Sequence, residues 1–317
     1  MVDVPNLEAP LTDPWPAYFA GRGHPGVRRI GAGVEGVVYG LSEGLVAKVW
    51  SGRPPTGLDL TRQVYADIAR HSLPFATPEI LEVEDHEGVL VTYERELPGV
   101  SAQAPAPPAD HEPGLPVQHG AALLTVLRGL ASVPGTEAMR RLAVQGDDRP
   151  LWQGHDRFRD ALADLVVRAA ARHGAALARL VPDLDAGVER TREALRSLPD
   201  APVTAIHGDL VPPNIHVDAT GRAVAVLDFG FFTTAGDPAF EAAVAAAVWD
   251  MYGPHAAEHT AELTRLFARE LGFAEATLET YQAAYALATY DLFGMGEDDG
   301  HFRWCAAQLR RSAVFNA

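Results

Sequence analysis

The chain has 317 residues, 47% hydrophobic and 21% charged, which is typical of a soluble globular protein with about two domains. Its 42 acidic and 26 basic side chains give a net charge of −16, which argues against nucleic acid and anionic membrane surfaces as partners. The one cysteine, Cys305, excludes an internal disulfide and a cysteine-cluster metal site, and it fits a reducing cytoplasm. We expect a cytoplasmic protein, because no apolar run approaches the ~20 residues of a membrane span and the first residues do not resemble a signal peptide.

Residues 1–95 predict a small β-sheet with one helix. The helix follows from Leu60, Val64 and Ile68, which recur every four residues. Runs of β-branched residues separated by turn residues predict the strands, and an irregular lead-in precedes them. The predicted bounds are 1–25 for the lead-in, 57–70 for the helix, and 27–41, 45–50, 80–83 and 89–93 for the strands.

The remaining residues predict a mostly helical region that a short group of strands interrupts. A proline-rich stretch at 98–116 predicts an exposed connection. Asp237 followed by Pro238 predicts the start of a helix, with Asp237 as its N-cap. The other predicted helices are 117–132, 155–174, 183–197, 255–271, 275–292 and 302–315, and the predicted strands are 203–206, 215–217 and 223–227.

A glycine-rich segment lies in the first arm of the predicted hairpin. Gly31, Gly33 and Gly36 have the spacing G-x-G-x-x-G, which occurs in dinucleotide-binding folds, in kinases and in ordinary loops. In a dinucleotide fold the last glycine opens a helix, whereas here Val37–Tyr39 continues as a strand. This context favours a lid whose backbone N–H groups approach nucleotide phosphates, and a flexible hairpin is the alternative.

Lys48 is the one lysine of the chain, and every other basic residue is arginine. With a three-residue turn at 42–44, Val38 faces Lys48. Because side chains two residues apart share a face, Lys48 then projects from the same side of the hairpin as Gly36. Its ammonium can lie beneath the glycine segment, where the α- and β-phosphates of a nucleotide would bind. The alternative is an exposed lysine that survived a codon bias toward arginine.

Two downstream segments supply candidate catalytic and metal-binding residues. In His207-Gly208-Asp209-Leu210-x-x-x-Asn214, Asp209 can orient a hydroxyl and accept its proton, and Asn214 can offer a neutral oxygen to Mg²⁺. His207 is expected to fix the loop rather than take part in chemistry. In the segment Leu227-Asp228-Phe229-Gly230, an apolar strand delivers Asp228 as a hard ligand for Mg²⁺. Turn-forming or helix-capping aspartates are the alternatives for both segments.

The order of these segments resembles the protein-kinase-like fold, and their details resemble aminoglycoside phosphotransferases and related small-molecule kinases. Protein kinases have arginine where this chain has Gly208, and Gly236-Asp237-Pro238 follows here in place of their Ala-Pro-Glu. The resemblance covers residues 27–250, roughly. It implies an α+β, two-lobed fold, with a small antiparallel-sheet N-lobe at 1–97 that binds nucleotide. The larger, mostly helical C-lobe at 98–317 would carry the catalytic loop and the substrate-binding region.

The resemblance also implies residue roles in a transfer that uses ATP or GTP together with Mg²⁺. Asp209 would be the catalytic base, and Asn214 and Asp228 would bind the metal. The nucleotide-binding residues would be Gly31, Gly33, Gly36, Lys48, Tyr93, Glu94 and Arg95, the last three through their backbone. The family pairs its lysine with a glutamate, for which this chain offers Gln63, Asp59 or Asp67. Glu241-Ala242-Ala243 replaces the usual Asp-Leu-Ala after the Gly-Asp-Pro turn.

The expected acceptor is a small hydroxylated molecule, and an aminoglycoside-like antibiotic is favoured, so that the enzyme gives resistance or self-protection. Two acidic sets are candidates for binding its amino groups: Asp156, Asp160 and Asp164, spaced by four on one predicted helix face, and Asp291 with 297–299. Solvated faces of an acidic protein are the alternative for both sets. A peptide antibiotic, a macrolide, a nucleoside and a primary metabolite stay open as acceptors. A non-catalytic nucleotide-binding protein and the oligomeric state also stay open.

Overall fold

The computed structural model describes residues 13–33, 35–42, 44–51, 55–103, 117–296 and 298–317. The chain divides into two compact units, Met1–Arg62 with Pro78–Leu97, and Gln63–Thr77 with Pro98–Ala317. The lobes expected at 1–97 and 98–317, each with its own function, stay a prediction. Residues 1–12 of the predicted lead-in, most of the proline-rich connection and Glu297 of the second acidic set lie outside the described residues.

The described part of the first unit is an antiparallel sheet with strand order β1-β2-β3-β5-β4 and a short helix before it. Its elements are α1 (Trp15–Gly21), β1 (Arg28–Gly33), β2 (Gly36–Gly40), β3 (Leu45–Trp50), β4 (Ile80–His86) and β5 (Val89–Arg95), and α2 (Pro55–Ala69) has its first residues here. In the β2–β3 hairpin, Val38 pairs with Lys48, as the sequence predicts. The glycine segment and Lys48 are therefore neighbours on adjacent strands.

One apolar cluster fixes which face of this sheet is buried. Phe19 of α1 lies against Tyr39 and Tyr93, with ring centroids 5.5 and 6.2 Å apart. Tyr39 pairs with Ala47 across β2 and β3, and both are buried in this cluster. Because neighbouring residues of a strand point to opposite faces, Lys48 projects away from the cluster.

The second unit is mostly helical, and its described residues form two small antiparallel sheets. Its strands are β6 (Val100–Ser101), β7 (Thr204–Ile206), β8 (Ile215–Val217), β9 (Ala223–Val226) and β10 (Thr234–Gly236). Its helices are α3 (Val117–Ala131), α4 (Glu137–Arg140), α5 (Phe158–Leu177), α6 (Leu184–Ser197), α7 (Pro238–Val248), α8 (Ala256–Leu271), α9 (Glu275–Thr289), α10 (Gly300–Arg311) and α11 (Ala313–Asn316). β7 pairs with β10, and β8 lies between β6 and β9. Among the residues described, no helix is both long and apolar enough to cross a membrane.

Helix α7 lies at the centre of the helical core. Every residue from Ala239 to Val248 is buried, because this alanine-rich helix is apolar on nearly all sides and packs against α3, α8 and α9. Its N-terminus is fixed by Asp237, whose carboxylate accepts the Ala239 N–H and the Tyr281 hydroxyl, each at 2.8 Å. Asp237 is thus the N-cap that the sequence predicts, and α7 packs beside β7.

Among the differences from the predicted helix boundaries, two separate residues that were expected on one helix. The helix expected at 155–174 begins only at Phe158, because Arg157 has an extended backbone with φ −130° and ψ 136°. Asp156 precedes the helix, so the prediction that it shares one helix face with Asp160 and Asp164 was wrong. The helix expected at 302–315 is broken after Arg311, because Ser312 is extended and its hydroxyl caps α11 instead.

Candidate active site

The loop that follows β7 is fixed by the side chain of its first residue. His207 is fully buried, and its Nδ1 accepts the Asp209 N–H at 3.2 Å. The ring proton is therefore on Nε2, which donates to the Leu227 carbonyl at 2.7 Å. Burial lowers the pKa of His207 to about 4, so the imidazole is neutral near pH 7. These bonds fit the expected role of His207 in holding the loop.

The backbone of Leu227 joins the two candidate segments. Its carbonyl binds His207, and its N–H donates to the Asn214 carbonyl at 2.8 Å. β8 and β9 pair Ile215 with Val226, so Asn214 lies opposite Leu227 at the end of this hairpin. The sequence segments around Asp209 and Asp228 are therefore brought to one place, and the 19 residues between them predict such a hairpin, which returns both carboxylates to one end.

Asp209 and Asn214 are directly hydrogen-bonded. The Asn214 Nδ2 donates to the Asp209 carbonyl at 2.9 Å and to its carboxylate Oδ2 at 3.1 Å. Asn214 is buried, with 7% of its surface exposed, whereas Asp209 is partly exposed. The carboxylate is thus held in one orientation while a small molecule can still reach it.

Asp228 occupies a strained turn. Its φ of 55° lies in the left-handed region, which costs a residue other than glycine about 1–3 kcal/mol. The next residue, Phe229, anchors the turn with its buried ring. The centroid of this ring lies 4.4 Å from that of the His207 ring and 6.0 Å from that of the Tyr65 ring. Asp228 itself is exposed. The turn therefore presents a carboxylate to solvent from a fixed backbone.

Glu241 of α7 binds the backbone just before Asp209. Its carboxylate accepts the N–H groups of His207 and Gly208, the second at 3.2 Å. Burial raises the pKa of Glu241 to about 8, and the two backbone donors oppose this shift. Gly208 has a φ of +75°, and a Cβ there would lie 2.5 Å from the Phe232 Cβ. The loop therefore needs both the buried carboxylate and the glycine, and the sequence interpretation did not assign Glu241 this role.

Asn214 and Asp228 would form a donor set that suits Mg²⁺. Mg²⁺ favours one or two carboxylates or other oxygens, completed by phosphate oxygens and water. Because the Asn214 amide nitrogen faces Asp209, its Oδ1 is turned toward the opposite side. Within the described ranges, no group of three or more His, Cys, Asp or Glu side chains is arranged to hold a metal. A cation here would depend on phosphate oxygens and water for the rest of its coordination.

In the first unit, Lys48 binds a residue of the glycine segment itself. Its Nζ lies 2.8 Å from the Glu35 carboxylate and 4.1 Å from the centroid of the Trp50 ring. The pairing of Gly36 with Trp50 places Glu35 next to this part of β3. The sequence candidates for a partner, Gln63, Asp59 and Asp67, did not include Glu35, although the strand register would have suggested it.

Gly36 is the glycine of this segment that the sheet requires. A Cβ there would overlap the carbonyl oxygen of Val49 and lie 3.1 Å from the Trp50 Cα. A Cβ at Gly33 would meet nothing within 4 Å, and one at Gly31 only the Val38 Cβ at 4.0 Å. Packing among the described residues therefore explains Gly36 but leaves Gly31 and Gly33 open for a role in binding.

Replacing these glycines one at a time separates folding from binding. We expect Gly36→Ala to destabilise the protein by about 1–3 kcal/mol, because β2 and β3 must move apart. Gly33→Ala should change stability by no more than about 0.5 kcal/mol. Thermal unfolding of both variants measures the difference, and calorimetric titration with ATP measures nucleotide binding. Equal stability of the two variants would contradict the described register.

The residues expected to meet adenine lie at the end of β5. Their side chains bind other residues of the first unit: Tyr93 donates to Glu84 at 3.0 Å, and Arg95 lies 2.7 Å from Glu79. Glu94 accepts the Thr92 hydroxyl at 2.7 Å. These contacts agree with a role for their backbone rather than their side chains, and that role stays a prediction.

The acidic residues expected to bind amino groups lie in different surroundings. Asp156 lines a cavity of about 250 Å³ together with Val203 and Asp237, which flank the end of the β7–β10 pair opposite the catalytic loop. Asp160 is partly exposed in the first turn of α5. Asp291 is almost buried and pairs with Arg172 at 3.3 Å. The structure does not bring these three residues together.

Arginines bind the carboxylates of this region. Arg149 lies 2.7 Å from Asp164, and Arg168 bridges Asp164 and Asp147, the latter at 2.6 Å. Partial burial acts to raise the pKa of Asp164, but Arg168, His155 and Arg149 lower it overall. Each of these carboxylates is therefore ionised and already has a cation beside it.

The sheet of the first unit, the helices of the second and this catalytic-type loop define a phosphotransferase with a kinase-like fold. The sequence pattern of the family described as "Phosphotransferase enzyme family" matches residues 26–297. The chain therefore belongs to the phosphotransferase enzyme family. This confirms the family that the sequence resembles, the predicted fold class and the prediction of an enzyme.

Solved structures with this fold include several antibiotic phosphotransferases. Aminoglycoside phosphotransferase APH(4)-Ia, in a ternary complex with ADP and hygromycin B, is 20% identical, with a TM-score of 0.63 over 96% of this chain and 98% of that one. Macrolide 2′-phosphotransferase MphH from Brachybacterium faecium is 19% identical, with a TM-score of 0.58 over 95% and 99% of the two chains. The gentamicin complex of APH(2″)-IIa is 13% identical, with a TM-score of 0.60 over 97% and 99%. A comparison with curated protein sequences gives no match.

Proposed function

We propose that this phosphotransferase moves the γ-phosphoryl group of ATP or GTP to a hydroxyl of a small molecule, and that this molecule is an antibiotic. One observation carries the proposal: Asn214 holds the Asp209 carboxylate beside the turn that presents Asp228. Phosphoryl transfer needs a carboxylate for the acceptor hydroxyl and oxygen ligands for a metal. One end of the β8–β9 hairpin supplies both.

Asp209 acts on the acceptor hydroxyl. Its carboxylate accepts the hydroxyl hydrogen bond and points the oxygen at the γ-phosphorus. As the new oxygen–phosphorus bond forms, the bond to the bridging oxygen of the nucleoside diphosphate breaks, and Asp209 takes the hydroxyl proton. Asn214 keeps the carboxylate oriented during this step, and Glu241 and His207 keep the backbone in place.

Asn214 and Asp228 would hold Mg²⁺, as the donor set described above suits this ion. When bound, Mg²⁺ neutralises charge on the phosphate oxygens. The strained turn fixes the position of Asp228 before the nucleotide binds, because the Phe229 ring anchors this turn against His207. The hydrogen bonds from Asn214 to Asp209 fix the orientation of the Asn214 side chain.

The first unit would bind the nucleotide. Lys48 would hold the α- and β-phosphates beneath Gly31, Gly33 and Gly36, and it would exchange its contact with Glu35 for phosphate oxygens. The backbone of Tyr93, Glu94 and Arg95 would meet the base. Structures of the same fold that contain ADP or AMP-PNP support this part of the proposal.

The antibiotic as acceptor rests on the fold neighbours, which are phosphotransferases of aminoglycosides and a macrolide. The enzyme would then confer resistance or self-protection, and we place it in the cytoplasm, where ATP is available. A small-molecule acceptor fits a partly exposed Asp209.

An assay of ADP release tests the proposed reaction. We expect ADP to form from ATP only when Mg²⁺ and an acceptor from an antibiotic panel are both present, and EDTA should stop the reaction. ADP release with amino alcohols or sugars but with no antibiotic would assign the enzyme to primary metabolism instead. Absence of both ATP binding and ADP release with every acceptor would contradict the proposed function.

A further inference from the structure

A row of aromatic side chains begins beside the catalytic loop. The Phe231 ring stacks on that of Phe293 with centroids 5.9 Å apart and planes at 14°. Phe293 packs edge-on against His301 at 5.2 Å, and the Tyr252 hydroxyl lies 3.5 Å from the His301 Nδ1. We call Phe231, Phe293, His301 and Tyr252 the aromatic row. Its members come from three separate segments of the second unit, so the row is a product of the fold.

Much of this row is exposed. Tyr252 is 62% exposed, Phe293 is 49% exposed, and the neighbouring Met295 is 36% exposed. Large apolar side chains that are exposed together mark a surface that binds something apolar. His301, by contrast, is buried and fixed by Thr289, so it supports the exposed rings from behind.

The row lies next to the proposed catalytic residue. Phe232, which follows Phe231, packs so closely on Gly208 that a Cβ there would lie 2.6 Å from its carbonyl oxygen. Gly208 in turn precedes Asp209. At the other end of the row, partial burial and then Cys305, Asp299 and Asp209 raise the pKa of Tyr252 to about 12, so this end of the row is also within electrostatic range of Asp209.

The charges beside the row disfavour a polycation. Asp291 lies two residues before Phe293 and is paired with Arg172. Asp147 lies two residues after Gln145, whose N–H donates to the Phe231 carbonyl, and it is paired with Arg168. Asp299 caps α10 by accepting the Phe302 N–H at 2.7 Å. A molecule with several ammonium groups would have to compete with guanidinium groups for Asp291 and Asp147, and it would also meet those cations.

We propose that the acceptor is a hydroxylated molecule with an apolar face and at most one ammonium group, which lies on the aromatic row with a hydroxyl at Asp209. This inference rests on the proposed function, because it names the substrate class of the same site. It differs from the aminoglycoside-like acceptor that the acidic residues suggest in the sequence, because two of those carboxylates, Asp164 and Asp291, are paired with arginine in the fold.

Two pairs of acceptors test the inference. Erythromycin and chloramphenicol have apolar faces and at most one amino group, whereas hygromycin B and gentamicin carry several. We expect kcat/KM with ATP and Mg²⁺ to be at least about ten-fold higher for one of the first pair than for either of the second, a difference of about 1.4 kcal/mol. A higher kcat/KM for hygromycin B or gentamicin would overturn the inference and leave the proposed function intact.

Variants of the row provide the second arm. Phe293→Ala and Tyr252→Ala should each raise KM for the preferred acceptor about ten-fold, with kcat and the KM for ATP within about two-fold of the parent values. Val167→Ala, which trims an exposed side chain of α5, is the matched control and should change none of these values. An unchanged acceptor KM in both row variants would overturn the inference. Failure of the proposed function itself would show differently, as absence of ATP binding and of transfer to all four acceptors.

Discussion

Asp209→Ala is expected to lower kcat by about 10²–10⁴-fold, which is the usual contribution of a positioned general base. The nucleotide affinity should stay within about two-fold, because the proposed nucleotide contacts come from other residues. Steady-state kinetics and calorimetric titration with ATP measure the two quantities. Asp209→Asn is a second variant, which keeps the size of the side chain. If both variants lose activity, the loss is due to the missing carboxylate and not to a cavity left by the smaller alanine.

Asp185→Ala is a suitable control for this experiment. Asp185 is an exposed aspartate in the first turn of α6, and its loss should change kcat by less than about two-fold. Loss of ATP binding in Asp209→Ala, or full retention of its activity, would show that Asp209 is not the base.

Glu241→Gln should reduce kcat by about 10–100-fold although Glu241 does not touch the substrate. Two backbone N–H groups converge on its carboxylate, and an amide would turn its own N–H₂ toward one of them. The loop would then shift Asp209, and small errors in the position of a reacting group are costly. Glu241→Asp keeps a carboxyl group on this residue and should retain more activity than Glu241→Gln. The KM for ATP should stay within about two-fold in both variants.

The raised pKa of Glu241 also predicts a pH dependence of stability. The folded protein keeps the Glu241 proton up to a pKa of about 8, whereas the unfolded chain releases it near the ordinary glutamate pKa of 4.5. The stabilising effect of this proton is fully present below about pH 4.5 and is lost as the pH rises through 8. The free energy of unfolding of the parent minus that of Glu241→Gln should therefore decrease between pH 5 and pH 8, roughly. A difference that grows with pH over this range would contradict the buried carboxylate.

Local patterns were enough to predict much of the site. The three-residue turn at 42–44 was enough to predict that Val38 lies opposite Lys48, because the length of a hairpin turn sets the register of its two strands. The 19 residues from Asp209 to Asp228 were enough to predict a hairpin that returns both segments to one end, and β8 and β9 form that hairpin. Asp237 and Pro238 correctly predicted where α7 begins, since capping depends on neighbouring residues.

Contacts between distant segments explain what the sequence did not predict. Glu241 is separated by more than 30 residues from the N–H groups that it binds, and only the packing of α7 beside β7 brings them together. Asp291 lies 119 residues from Arg172, so the acidic pattern gave no sign that its charge is compensated. Asp156 was placed on α5 by its spacing alone, whereas the extended backbone of Arg157 leaves it outside the helix.

The mass of the acceptor after reaction is the most direct test of phosphoryl transfer by Asp209. The purified protein would be incubated with ATP, Mg²⁺ and each acceptor, and the products analysed by mass spectrometry, with Asp209→Ala in parallel. We expect that one acceptor gains one phosphoryl group, that one ADP forms for each product, and that both signals vanish in Asp209→Ala. A phosphorylated product formed equally well by Asp209→Ala, or no product from an acceptor panel together with no binding of ATP, would contradict it.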